Sequence, residues 1–360
     1  MKNHTKFLKG KKALSLLLAM VMVFSVASPM SVLLGVTASA ATSGTTGDCT
    51  WSLDGTVLTI SGNGAIAKYP TPYVPPWGTD ITEIIIKNGV THIGFGTFKN
   101  CNNLTSVSIP DNIISIGEYA FYNCDNLTDV QISDSVREIG FNAFLGTAYF
   151  NNESNWQGDV LYIGNHLISA KTTISGEYDI KKGTKTIAHN AFYNCKNLTK
   201  VNIPDSVVSI NKYAFYYCSA LAEINMGNGV EHIGYKAFIG CRNIIDITLP
   251  DSVTSIDGEA FCGCKNIIDI TLPSGVVNIG ENVFGYCEKL SNKGYKSVMY
   301  NKTVEADENG RVRIYPYDIF TDNFFPYVWE IDEPWNPESF KYTDDIRFKT
   351  AVTPYFADDA

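Results

Sequence analysis

Eight phenylalanines, Phe98, Phe121, Phe144, Phe192, Phe215, Phe238, Phe261 and Phe284, are separated by 23, 23, 48, 23, 23, 23 and 23 residues. A fixed period of roughly 20–30 residues is the mark of one short supersecondary unit stacked on copies of itself, since no single copy can bury its apolar side alone. The chain has 360 residues, a length that would otherwise suggest two globular domains. The period overrides that expectation, because a stack grows in one dimension without enlarging a single core.

One copy, residues 104–126, sets the pattern. Leu104, Val107 and Ile109 open it, and the same places hold Leu127/Val130/Ile132, Leu198/Val201/Ile203, Leu221/Ile224/Met226, Ile244/Ile247/Leu249 and Ile267/Ile270/Leu272. Apolar residues two apart, many of them β-branched, predict a strand with one face inward. A Pro-Asp turn often ends it, at Pro110, Pro204 and Pro250, where proline no longer removes a ladder hydrogen bond. A second apolar pair follows, as in Ile113/Ile116 and Val207/Ile210, and then a compact Ala-Phe-x-x-Cys turn.

The string V-x-x-I-x-x-x-A-F-x-x-C-x-x-L-x-x-V/I-x-I/L-P, read over about residues 81–290, resembles the BspA-type leucine-rich repeats of bacterial surface and secreted proteins. The resemblance implies a β-rich leucine-rich-repeat solenoid: eight right-handed coils of about 23 residues, a parallel sheet on one side, turns on the other, and a cap at each end. It also implies a binding or adhesion scaffold and carries no catalytic residue with it.

The ends and the interruption depart from the pattern. Lys2, Lys6, Lys9, Lys11 and Lys12 precede an apolar run and the small-residue site Ala38-Ser39-Ala40, the layout of a signal peptide cleaved after Ala40. The domain reading is therefore a leader at 1–40, a β-hairpin cap at 41–80, repeats at 81–290 and an acidic, aromatic C-terminal cap or tail at 291–360. The spacing of 48 leaves room for an insertion at about 148–172, with a hairpin turning at Gly164-Asn165. Trp156 within it is a candidate binding aromatic.

Composition narrows the function. The net charge is −9, and loss of the five leader lysines takes it to −14. Nucleic-acid binding needs the opposite sign, so the expected partner is an extracellular protein or glycan, with no stable membrane insertion after leader cleavage. Seven of nine cysteines sit three residues after a repeat phenylalanine, which predicts a ladder of buried thiols acting as small hydrophobes; Cys49 and Cys262 fall off it. No zinc-protease, nucleophile-elbow or phosphate-loop motif is present, and no cofactor or metal is expected. On the outward strand column, Asp129, Lys200, Glu223, Asp246 and Asp269 are the candidate binding residues. Stacked carboxylates at Glu223, Asp246 and Asp269 would repel, which leaves two readings open, a plain solvated acidic face and a face for a basic partner or a cation. The first functional expectation is a secreted or cell-surface binding scaffold that is not an enzyme. The alternatives are a carbohydrate-binding or hydrolytic protein acting through residues 291–360, and a fragment of a larger multidomain surface protein.

Overall fold

The computed structural model describes residues 42–291 apart from Asp269, Thr271 and Ser274, and beyond them the backbone of four strands. The leader therefore lies outside the described residues, as do the side chains of the C-terminal aromatic–acidic segment. The four C-terminal strands, Met299–Ala306, Val312–Asp318, Tyr327–Ile331 and Pro354–Phe356, pair antiparallel in that order.

Most repeats contribute two short strands and a turn, and the coils opening at Ile244 and Ile267 keep only the second strand among the described residues. A front row contains Ser106–Ile109 paired in parallel with Asp129–Ile132, and separately Ser175–Asp179, Asn197–Asn202 and Glu223–Asn225 in parallel. A second row runs Gly64–Ala65, Val90–Ile93, Ser115–Ile116 and Glu138–Ile139 in one sheet. It resumes in another with His166–Ala170, Thr186–Ile187, Ser209–Ile210, His232–Ile233, Ser255–Ile256 and Asn278–Ile279. Ten parallel second-row rungs stand where eight coils are expected. The extra two are Gly64–Ala65, which follows the N-terminal antiparallel strands, and His166–Ala170, supplied by the insertion; neither coil carries the marker phenylalanine.

The turns are a third ladder. In five coils Phe N–H donates to the alanine carbonyl one coil on, at 2.7–2.8 Å, as from Phe215 to Ala237. The next coil's cysteine then donates its thiol to the phenylalanine carbonyl, from Cys124 to Phe98 and from Cys218 to Phe192 at 3.0 Å, and from Cys241 to Phe215 at 3.1 Å. That bond, with burial, explains cysteine at this place: it is small enough for the core yet offers a weak donor. All nine cysteines are buried.

The phenylalanine rings stack 4.8–5.6 Å apart, but in two runs. Phe98, Phe121 and Phe144 form one; Phe192 to Phe284 form the other. The insertion separates them. Thr147 Oγ1 accepts from Phe150 N–H at 3.0 Å and starts the short helix Ala148–Asn151 where the next front strand would begin, the N-cap role that a threonine hydroxyl fills well. The chain then makes an antiparallel pair, Val160–Ile163 with His166–Ala170. Its residues are divided between two cores: Val160, Tyr162 and Leu167 join the C-terminal one, Leu161, Ile163 and Ile168 the N-terminal one. A strand buried on both faces reads as an unbroken apolar run, and this hairpin is a septum between two solenoid blocks.

Candidate functional site

Three surfaces carry polar or aromatic side chains in an order the repeat alone does not require. The first is the front face. Lys200 Nζ lies 2.9 Å from Glu223 Oε1 and 3.4 Å from Glu177 Oε1, bridging three successive rungs. The hydrogen bond to Glu223 raises the Lys200 pKa, and the same bond holds the Glu223 carboxyl low. Asn225 donates to Asn202 Oδ1 at 2.6 Å, and Asn202 donates in turn to Glu177 and Asp179. Of the predicted column, only Lys200 and Glu223 are thus brought together. Asp129 is exposed in the separate sheet of the N-terminal block, Asp246 is exposed on an isolated bridge, and Asp269 lies outside the described residues. Glu223 is neutralised by a lysine, so it does not depend on a basic partner. Glu177 and Asp179 were missed as members; their signal was the strand placement of Tyr178 and Ile180, which turns both carboxylates outward.

Trp156 is half-buried. Its Nε1 donates to Phe150 O at 2.9 Å, its ring stands edge-on to Phe150, and Lys171 Nζ lies 5.0 Å above it. It packs the insertion down, with one face toward Lys171.

The second surface is the seam between the blocks. A cleft of about 570 Å³ is lined by His92 and Ser115 on one bank and by Lys212, His232 and Asp257 on the other. Reciprocal ion pairs cross it, Arg137 with Glu231 at 3.4 Å and Lys212 with Glu138 at 3.6 Å. Ser209 Oγ, His232 and Asp257 also fall in a row, 3.4 Å from Oγ to Nδ1 and 3.2 Å from Nε2 to Oδ2. A nucleophile must be reachable, and Ser209 is 3 % exposed with its oxygen taken by Asn211 Nδ2 at 2.8 Å. This row ties adjacent rungs together. Among the described residues no cluster of three or more histidines, cysteines or carboxylates could hold a metal ion.

The third surface lies over the Ala-Phe turns. Rings run from Phe95 to Tyr119, Phe141, His189, Tyr213 and Tyr235 with centroids 5.3–5.6 Å apart, crossing the block boundary without a break. Tyr193, Tyr216 and Tyr217 broaden the ridge, the first two stacked at 4.9 Å and the last two tilted at 4.5 Å. Tyr193 and Tyr217 are 41 % and 37 % exposed. The backbone beneath is left-handed at two places per turn. Asn123, Asn194, Gly240 and Gly263 occupy one of them, as composition would have it, but Tyr217 and Tyr286 do so too, at φ +54° and +57°; Tyr119 and Tyr213 hold the other at +56°. A bulky side chain there costs roughly 1–2 kcal/mol. Sequence reading passed over these tyrosines because repeat position alone does not reveal a positive φ.

Solved structures of low identity resemble parts of this chain. A leucine-rich cell surface protein from Faecalibacterium prausnitzii is 23 % identical, with a TM-score of 0.36, over 70 % of this chain and 94 % of its own. A leucine-rich repeat protein from Bacteroides ovatus is also 23 % identical, with a TM-score of 0.31, over 67 % and 63 %. One from Eubacterium ventriosum is 21 % identical, with a TM-score of 0.28, over 75 % and 100 %. No curated protein matches the chain significantly. The BspA type Leucine rich repeat region matches residues 77–195 and 185–302, in six copies. With the coils, thiol ladder and ring columns in place, this chain belongs to the BspA-type leucine-rich repeat family.

Proposed function

We propose that this protein is an exported, non-enzymatic scaffold that binds another protein through the tyrosine ridge over its turns. The single observation that carries the reading is the placement of Tyr119, Tyr213, Tyr217 and Tyr286 at left-handed positions, where asparagine or glycine fills ten of the sixteen repeat places and Lys236 and Glu259 the other two. Retained strain at a surface marks a position kept for something other than stability. Tyrosine gives large, rigid, amphipathic contact area, which is why it anchors protein interfaces. The leader-like segment at 1–40 supports export, and the acidic balance supports a neutral or cationic partner. Among the described residues no helix is long and apolar enough to cross a membrane.

The test is capture and cross-linking of surface proteins with residues 41–360, wild type against a Y213G/Y216S/Y217G variant. The expected result is a partner held by the wild type and lost by the variant at unchanged fold. A partner retained equally by both removes the ridge from consideration.

A further inference from the structure

The insertion does more than separate two cores: it leaves a front strand without its neighbour. Ser175–Asp179 is the edge of its three-stranded sheet, paired only to Asn197–Asn202. In a run of 23-residue coils its other side would be closed by Asp129–Ile132, but that strand belongs to a different sheet. Ile180 N–H donates to Asn202 O at 3.0 Å. By the alternation of a parallel ladder, Tyr178 and Ile180 then face Asn197–Asn202, while the N–H and C=O groups of Glu177 and Asp179 face away from it. Tyr178 is only half-buried, whereas its counterparts Val201 and Ile224 in the next two rungs are buried.

We infer that Ser175–Asp179 is a strand-addition site for an extended, basic segment of a partner protein. A row of unpaired backbone groups is a template for another strand, and strand addition draws affinity from main-chain bonds and specificity from alternate side chains. Lys200 pairs with Glu177 and Glu223 while Asp179 receives only the Asn202 amide, so the outward carboxylates of these three rungs exceed their one lysine by two charges. An added strand lies about 4.8 Å away, and its outward side chains sit beside Glu177 and Asp179, where lysine or arginine is favoured. A second copy of this chain fits poorly, because antiparallel pairing of two such edges sets carboxylate against carboxylate. This site is independent of the tyrosine ridge.

The experiment uses residues 41–360 and a fluorescent eight-residue peptide of alternating valine and lysine, followed by anisotropy at about 150 mM salt. The comparison peptide has the same sequence with alternate amides N-methylated. The expected result is saturable binding to the wild type, weakened at least about tenfold by N-methylation. The Glu177→Pro variant is expected to lose binding to the same extent while melting at the wild-type temperature, because the N–H removed faces away from the sheet. Absence of binding, or binding of both peptides with equal affinity, overturns the site, and the N-methyl comparison decides this even where Glu177→Pro fails to fold. The Y213G/Y216S/Y217G variant should bind the peptide like the wild type, so failure of this site and failure of the ridge are read separately.

Discussion

Asn211 closes the edge that Ile139 leaves open. Its Oδ1 accepts from Ile139 N–H and its Nδ2 donates to Arg137 O, both at 2.9 Å, so one buried side-chain amide stands in for a peptide unit of the missing rung. His189 N–H, donating to Ile139 O at 3.0 Å, completes the join. Sister coils hold glycine here, at Gly94, Gly117, Gly140 and Gly234. Adding a Cβ at Gly117 would bring it to 2.6 Å from a Gly94 backbone carbon.

Asn211→Gly would restore the repeat pattern and still destabilise the protein. It leaves Ile139 N–H buried without a partner and removes the part-buried bond to Arg137 C=O, a loss of about 1–3 kcal/mol from the buried group. Urea unfolding followed by tyrosine fluorescence measures it; a neutral or stabilising effect would show that the seam does not depend on this amide.

Tyr217→Gly is expected to do the opposite. With φ at +54°, glycine relieves backbone strain, and the loss of ring contacts at an exposed site offsets only part of it. The expected gain is up to about 1 kcal/mol, read as a raised melting temperature, together with weaker partner capture.

His189 makes the seam sensitive to acid. Burial first, and then the nearby charge of Lys212, pushes its pKa down from 6.5 to about 4. Glu118 at 3.8 Å does not offset this. A depressed folded pKa contributes stability that is full above the unfolded value and is lost as pH falls through the folded one. Stability should therefore decline between pH 6.5 and about 4, by at most about 3 kcal/mol from this group. His189→Phe, which matches the stacking neighbours Phe141 and Tyr213, should flatten that part of the melting-temperature profile.

The thiol ladder should be chemically silent in the folded state. Burial raises Cys195 and Cys287 from 9.0 to about 12, and pushes Cys241 and Cys264 well above 9.0. Iodoacetamide at pH 8 should leave these four unmodified in the native protein and label them in denaturant, as counted by intact mass, because the thiolate is the nucleophile. A raised acid contributes stability that is complete below pH 9 and is lost as pH rises towards 12, so alkaline unfolding should be steep.

What could be read from the residues, and what could not, divides along the range of the interactions. The coil, its two strands, the inward Phe and Cys, and the location of the insertion all follow from period and side-chain pattern, because each is fixed by contacts between identical neighbours. The rings form two columns, since a 48-residue spacing cannot hold two rings one coil apart. The outward column was legible as a column but not as a charge pattern: Glu177 and Asp179 precede and follow a tyrosine instead of an aliphatic residue, and only the register Glu177 opposite Lys200 shows which carboxylates the lysine neutralises.

The sequence by itself determined the stack, because a core shared only between adjacent coils is encoded anew in every repeat. The tertiary structure alone decided the seam, the strained tyrosines and the open edge at Ser175–Asp179. The seam depends on groups 50–94 positions apart, such as Thr186 with Val136 and Arg137 with Glu231, the tyrosines on a backbone angle, and the edge on where the sheet breaks, none of which is written in the repeat.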